Sequence, residues 1–276
     1  MGMLSDLRVT LIGGGTMAEA LIRGLLRQQL VTAGRVTASD PLEQRRAYLS
    51  QELGVRVSDS NGEAIAVADI VVLAVKPQVL GNVLAELAGR ISPDTLVLSI
   101  VAGAKIETIH DALGSRSIVR VMPNTPGQIG EGIAVWTATA ETTEAQRLQA
   151  QAIVGALGEE IYVEKERYLD MATALSGSGP AYVFLFIEAL TDAGVRMGFS
   201  RPIAQKLALQ TVRGSAIYAQ ETGLPPAVLR NRVTSPGGTT AEALYQFEKG
   251  GFRALVSQAV WAAYQKSKLL GDVKNE

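Results

Sequence analysis

The stretch Arg8-Val9-Thr10-Leu11-Ile12-Gly13-Gly14-Gly15-Thr16-Met17-Ala18-Glu19-Ala20-Leu21 decides the fold. Five strand-forming residues run into three glycines, and apolar residues at helical spacing follow at once. The pattern reads as strand, tight turn and helix start, with G-x-G-x-x-A at Gly13, Gly15 and Ala18. Gly13 permits the sharp turn, and Gly15 lets the backbone approach a pyrophosphate. Ala18 keeps the helix close to its strand. Free N–H groups and the dipole at the helix start, from Thr16 and Met17 onward, would attract two phosphates. The stretch therefore predicts a Rossmann-type dinucleotide-binding unit.

Outward from that turn, residues 8–163 alternate apolar β-branched runs with helical segments, the signature of a parallel sheet covered by helices. Strands are expected at 8–12, 35–39, 70–74, 96–100, 118–121, 133–137 and 160–163. Helices are expected near 17–28, 42–53, 80–88, 106–113 and 144–157. Strands 70–74 and 96–100 are nearly all apolar, as befits strands buried on both faces. After residue 164 no strand pattern recurs, and helical periodicity continues to Leu270. Helices are expected at 168–175, 181–197, 202–221, 227–233, 241–248 and 252–270, separated by Gly, Pro and Ser. A serine cap at Ser200 and Pro202 in the first turn would start the third of these. The expected architecture is α/β: an N-terminal doubly wound sheet, residues 1–164, followed by a C-terminal all-α domain, residues 165–276. Helices 181–197 and 202–221 are apolar or small around most of their circumference. About 110 residues of helix would struggle to bury that surface alone, so a homo-oligomer is expected; the alternative is that these faces simply cover the sheet.

Composition narrows the chemistry. The 276 residues are 47% hydrophobic and 19% charged, with a net charge of −1. No basic face is advertised, so nucleic acid is not an expected partner. The apolar runs 70–75 and 181–187 fall short of a membrane span, and no membrane association is expected. No signal or transit segment precedes the first strand, so the expected compartment is the cytoplasm. Cysteine is absent, which removes disulfides, thiolate nucleophiles and zinc–sulfur sites; no metal is expected. The single histidine, His110, falls on the solvent side of a helix far from every motif. Catalysis is expected to proceed without His or Cys.

Five further stretches carry candidate binding residues. Asp40 ends the second strand, 22 residues after Ala18, where an acidic residue accepts from a ribose 2′-OH and opposes a 2′-phosphate. Arg45 and Arg46 follow and could meet that phosphate, so the cofactor is left as NADH or NADPH. The alternative for Asp40-Pro41 is a plain turn before a helix. Lys76, after the third strand, belongs at the rim of the cofactor cleft, with Pro77 fixing the turn. Asn124, held between Pro123 and Pro126, could donate and accept near a nicotinamide. The last stretches are Ser176-Gly177-Ser178-Gly179-Pro180 and Thr234-Ser235-Pro236-Gly237-Gly238-Thr239-Thr240-Ala241-Glu242. The latter offers N–H groups and hydroxyls to a carboxylate; alternatively, Thr239-x-x-Glu242 is only a capping box.

Together these motifs resemble the pyrroline-5-carboxylate reductase family from end to end. The markers are Gly13-Gly14-Gly15-Thr16-Met17-Ala18, Ala74-Val75-Lys76-Pro77, Met122-Pro123-Asn124-Thr125-Pro126 and Ser176-Gly177-Ser178-Gly179-Pro180-Ala181. Most discriminating is Pro226-x-x-Leu229-x-x-x-Val233-Thr234-Ser235-Pro236-Gly237-Gly238-Thr239-Thr240, followed by Glu248-Lys249-Gly250-Gly251-Phe252-Arg253. The resemblance implies NAD(P)H-dependent reduction of a cyclic imine to L-proline. It implies a cofactor lying along Gly13, Gly14, Gly15, Thr16, Met17 and Ala18, with Asp40 and Asn61. It adds Ala74, Val75, Lys76 and Pro77, then Ile100, Val101 and Ala102. Asn124 joins Lys76 at the nicotinamide end. Substrate would be held by Ser176, Ser178, Gly237, Gly238, Thr239 and Thr240, with Thr240 and Ser235 as the catalytic pair. The implied assembly is an intertwined dimer, in some members a decamer of five dimers, in which a neighbour's helical domain supplies the substrate turn. Aspartate at position 40 departs from members that prefer NADPH. A hydroxyacid-type dehydrogenase would place a lysine on the helix at 181–197, which has none. A nucleotide-binding regulator without catalysis is the other alternative.

Overall fold

The computed structural model describes residues 4–272. Strand β1 (Val9–Ile12) passes through the glycine turn into α1 (Thr16–Arg27). The chain continues through β2 (Val36–Ser39), α2 (Glu43–Leu53), β3 (Arg56–Ser58), α3 (Asn61–Ile65), β4 (Ile70–Leu73), α4 (Pro77–Leu87), β5 (Leu96–Ser99) and α5 (Ile106–Leu113). Strands β6 (Ile118–Met122) and β7 (Gly132–Ala138), helix α6 (Glu144–Gly155) and strand β8 (Gly158–Tyr162) complete the sheet. Its order is β3-β2-β1-β4-β5-β6-β7-β8. The chain departs from β1 to both sides, so the ends of β1 and β4 form the switch point where ligands bind in such sheets.

Strands β1 to β6 pair in parallel, whereas β7 runs antiparallel to β6. Only the short 3₁₀ turn Thr125–Ile129 joins β6 to β7, and a parallel crossover needs a dozen residues or more. Strand β3 and helix α3 were not anticipated from the sequence. Arg56-Val57-Ser58 has one apolar residue, and it needs no more, because β3 is the sheet's edge and pairs only with β2. Side chains alternate between two layers, as the period of a strand demands. Val9, Leu11, Ile70, Val72, Leu96 and Leu98 face α1 and α6. Val71, Leu73 and Val97 face α4 and α5. Each fully buried Leu or Ile contributes about 2 kcal/mol, so these layers fix the strand ends that carry the site.

The second half comprises α7 (Arg167–Ala172), a π-helical turn Thr173–Gly177, α8 (Gly179–Arg196), α9 (Arg201–Thr222), α10 (Pro226–Arg232), α11 (Thr239–Lys249) and α12 (Phe252–Asp272). Two expectations are corrected here. The glycine–serine stretch 176–180 is not a break: it stays helical, with Ser178 N donating to Thr173 O at 2.8 Å. The resulting helix, Arg167–Arg196, has 30 residues and contains an 18-residue stretch with a mean hydropathy of 1.2, long and apolar enough by composition to cross a membrane. Ser200 does stand at the start of α9, but its side chain makes no capping bond.

The chain forms two compact units. One runs through Ser178 and includes the chain from Ala263 onward; the other is Gly179–Ala262. Within the second, α8 and α9 form a hairpin in which Gly194 meets Ala204, where an added Cβ would lie 2.9 Å from the alanine methyl. Phe247 and Phe252 pack edge to face at 5.4 Å. Even so, helices α10 and α11 bury no residue, and Phe184 and Leu185 are 63% and 66% exposed.

Candidate active site

The glycine turn is built by backbone geometry. Gly13 has φ +96°, which favours glycine, and a Cβ there would lie 2.8 Å from Ala74 O. Its N–H donates to Ser39 O at 2.8 Å, and Ala74 N donates to Ile12 O at 2.8 Å, so the ends of β1, β2 and β4 are tied together. Gly15 is the residue before α1, and no atom lies within 4 Å of a Cβ added to it. No side chain caps α1. The N–H groups of Thr16, Met17 and Ala18 therefore receive no side-chain cap at the positive end of a 12-residue helix. An uncapped helix start behind a glycine that nothing crowds fits a pyrophosphate.

Asp40 follows β2 directly. Its Oδ2 accepts from Gly14 N and its Oδ1 from Leu42 N, both at 2.9 Å. Arg45 reaches back from α2: Nε donates to Gly14 O, and Nη2 to Glu19 Oε2 at 2.6 Å. Glu19 also accepts from Arg23 and Tyr48. Burial pushes the Glu19 pKa up, but the hydrogen bonds from Arg45, Arg23 and Tyr48 outweigh it and hold the group below the usual carboxylate range. Sequence reading missed this clamp; Glu19 and Arg23 show the i,i+4 spacing, but Arg45 lies 26 residues from Glu19 and gives no local signal.

The other cofactor candidates line the same sheet edge. Asn61 opens α3; its Oδ1 accepts from Ser39 Oγ at 2.8 Å and its Nδ2 donates to Glu86 at 2.7 Å. Val75 is half-buried, and Lys76, exposed, precedes Pro77 at the first position of α4. Ile100 N donates to Leu73 O at 3.0 Å, and Val101 N to Ser99 Oγ at 3.3 Å, which fixes the turn before Ala102.

Asn124 is held by two hydrogen bonds. Its Oδ1 accepts from Ile133 N at 3.0 Å, and its Nδ2 donates to Ser176 O at 3.2 Å. That carbonyl is free because Pro180, four residues on, has no N–H to offer it. Asn124 thus joins the loop after β6 to the π turn, retaining one N–H and one lone pair. Ser176 Oγ donates to Ala172 O at 3.0 Å. Arg120, hidden in a strand read as apolar, pairs with Glu166 at 2.8 Å and Asp170 at 3.2 Å. Ser267 Oγ adds a bond to Asp170. These four residues tie α7, with Glu166 just before it, and α12 to β6.

The second glycine turn lies in the other unit. Pro236 and Gly237 (φ +69°) occupy the centre of a turn closed by Gly238 N donating to Ser235 O at 3.1 Å, the sequence a type II turn calls for. Gly238, not Thr239, is the residue before α11, and no side chain caps that helix. The capping-box alternative is therefore overturned. Thr239 and Thr240 are the first two residues of the helix, with backbone N–H groups and hydroxyls available to a ligand. Among the described residues no group of three or more His, Asp or Glu is arranged to hold a metal.

Comparison with known proteins agrees with both halves. Residues 166–270 match the family model described as pyrroline-5-carboxylate reductase dimerisation. Residues 8–103 match that of NADP oxidoreductase, coenzyme F420-dependent. The chain is 44% identical over 270 residues to a pyrroline-5-carboxylate reductase from Pseudomonas aeruginosa, covering 98% of each chain. It is 38% identical to one from Arabidopsis thaliana, covering 95% of each. A Plasmodium falciparum pyrroline carboxylate reductase solved with NADP bound superposes with a TM-score of 0.88 at 35% identity, covering 97% of this chain and 99% of that one. By that extent of likeness, the chain belongs to the pyrroline-5-carboxylate reductase family.

Proposed function

We propose that the protein reduces L-1-pyrroline-5-carboxylate to L-proline with NADH or NADPH, the last step of proline biosynthesis. The observation that carries this reading is the pair of uncapped helix starts behind glycine turns, α1 and α11, in a chain 44% identical to a pyrroline-5-carboxylate reductase over its length. Residues 1–164 serve the dinucleotide, and residues 165–276 serve the substrate and assembly.

When bound, the reduced nicotinamide supplies a hydride to the ring carbon of the C=N bond. The N–H groups of Thr16, Met17 and Ala18 hold the pyrophosphate beside Gly13, Gly14 and Gly15. Asp40 and Asn61 take the adenosine ribose, while Ala74, Val75, Lys76, Pro77, Ile100, Val101 and Ala102 form the wall beneath the nicotinamide half. Asn124 acts by positioning this edge. The amides of Gly237, Gly238 and Thr239 take the substrate carboxylate, and the Thr240 hydroxyl, with Ser235 nearby in sequence, holds the ring nitrogen. Ser176 and Ser178 border the ring. A protonated imine is already electrophilic, so orientation supplies much of the rate. A carbonyl reductase would need a strong proton donor for the developing alkoxide; an imine does not, which suits a chain without cysteine and with His110 on helix α5.

The exposed apolar faces of α8 and α9 are covered by a second copy rather than by lipid, giving a dimer and, by further association, a decamer of five dimers in the cytoplasm. The test is dinucleotide oxidation followed at 340 nm on adding the imine. Turnover that yields proline supports the reading; its absence with both nicotinamides overturns it.

A further inference from the structure

The residues around the end of β2 bear on which dinucleotide the protein takes. We infer that Asp40 makes this chain select NADH over NADPH, and that Arg45 and Arg46 are held where they do not rescue a 2′-phosphate. The inference rests on the dinucleotide reading above.

Three observations carry it. First, both oxygens of the Asp40 carboxylate are anchored, by Gly14 N and Leu42 N at 2.9 Å. The group cannot swing aside without stranding an N–H of the glycine turn. Each oxygen keeps a lone pair for a ribose hydroxyl. Second, the carboxylate lies against that turn: a Cβ added to Gly14 would be 3.2 Å from Asp40 Oδ2. A 2′-phosphate carries a charge of about −1.5 to −2 and has only acceptors near neutral pH, so it would face a fixed negative charge with nothing to donate.

Third, the cations that could offset this repulsion are engaged. Arg45 binds the carbonyls of Gly14 and Gly15 and the Glu19 carboxylate. Arg46 Nη1 donates to Asp40 O and Pro41 O, both at 2.9 Å, and its Nη2 lies 3.8 Å from Asp59. Neither guanidinium is offered to a ligand in the way that accommodates NADP in such folds. Moving Arg45 onto a phosphate would release the turn that binds the pyrophosphate.

The test is direct titration of the full-length protein with NADH and NADPH by nucleotide fluorescence, without substrate. NADH is expected to bind at least tenfold more tightly. Asp40→Asn removes the charge but keeps an acceptor for Gly14, and Asp40→Ser also opens space. Both should bring the ratio of dissociation constants to near one or invert it. Thermal unfolding of each variant separates a loss of fold from a loss of selectivity. Equal or tighter binding of NADPH by the native protein overturns the inference while leaving the proposed reduction intact, since turnover with the imine is measured separately. A ratio unchanged in Asp40→Asn overturns it too, reducing Asp40 to a turn residue. Binding of neither dinucleotide overturns both readings.

Discussion

The two glycine turns that open α1 and α11 offer the same chemistry, uncapped N–H groups at a helix start, from opposite surroundings. Helix α1 buries six residues, and its turn is braced by three strand ends, Asp40 and Arg45. Helix α11 buries none. A dinucleotide is large and bends over a sheet edge that one chain can complete by itself. The α11 turn sits among helices whose apolar faces remain open in a single chain. The difference teaches that the α1 turn is completed by the fold of one chain, whereas the α11 turn, on the function proposed, would depend on the assembly.

The sharpest way to break that contrast is to put the same methyl group into both turns. Gly13→Ala combines a positive φ with a 2.8 Å approach to Ala74 O, and should cost about 3 kcal/mol of stability. Gly237→Ala has a similar φ but open space around it, and should cost about 1 kcal/mol. Denaturant midpoints compare them; equal losses would remove the distinction between a braced and an open turn.

Next in size are changes that spare the fold and remove one function each. Thr240→Ala should lower kcat/KM about 100-fold, the scale of one hydrogen bond to a charged group, with dinucleotide affinity unchanged. Gly15→Ala, where nothing crowds the added methyl, should leave the melting temperature in place but weaken dinucleotide binding about tenfold. If Thr240→Ala weakens the dinucleotide instead, the assignment of the two ends is reversed.

Smallest is a pH effect confined to the sheet. The Arg8 side chain and N–H hold the Asp69 carboxyl below its usual range, against a smaller opposing effect of burial. A depressed carboxyl pKa stabilises the fold above the unfolded value, near 4, and that contribution fades as pH falls through the folded value. Both side chains are about one-third exposed or more, so solvent screens most of it. Asp69→Asn should shift the acid melting profile slightly below about pH 5 and leave activity at neutral pH alone.

Local signals made much of this legible in the sequence. The glycine turn can be read because strand, turn and helix are contiguous, and the alternation of Val, Ile and Leu identifies the two-layered sheet. Partners distant in sequence could not be read. Asn124 and Ser176 are 52 residues apart, and only the fold shows that Pro180 frees the carbonyl between them. Serine, glycine and proline at 176–180 look like a loop, yet the π turn keeps the chain helical. Arg120 is masked by its apolar neighbours. Strand β3 is polar because an edge strand need not be otherwise.

The central claim is that hydride passes from the dinucleotide held at α1 to an imine carbon held at α11. The direct measurement is isotope transfer: reduced nicotinamide dinucleotide carrying deuterium at both C4 positions, or at either one alone, turned over with pyrroline-5-carboxylate, and the proline examined by NMR and mass spectrometry. The account predicts proline with one deuterium at C5, from one face of the nicotinamide only. Proline formed without the label from the doubly deuterated cofactor, or label at another carbon, would contradict it.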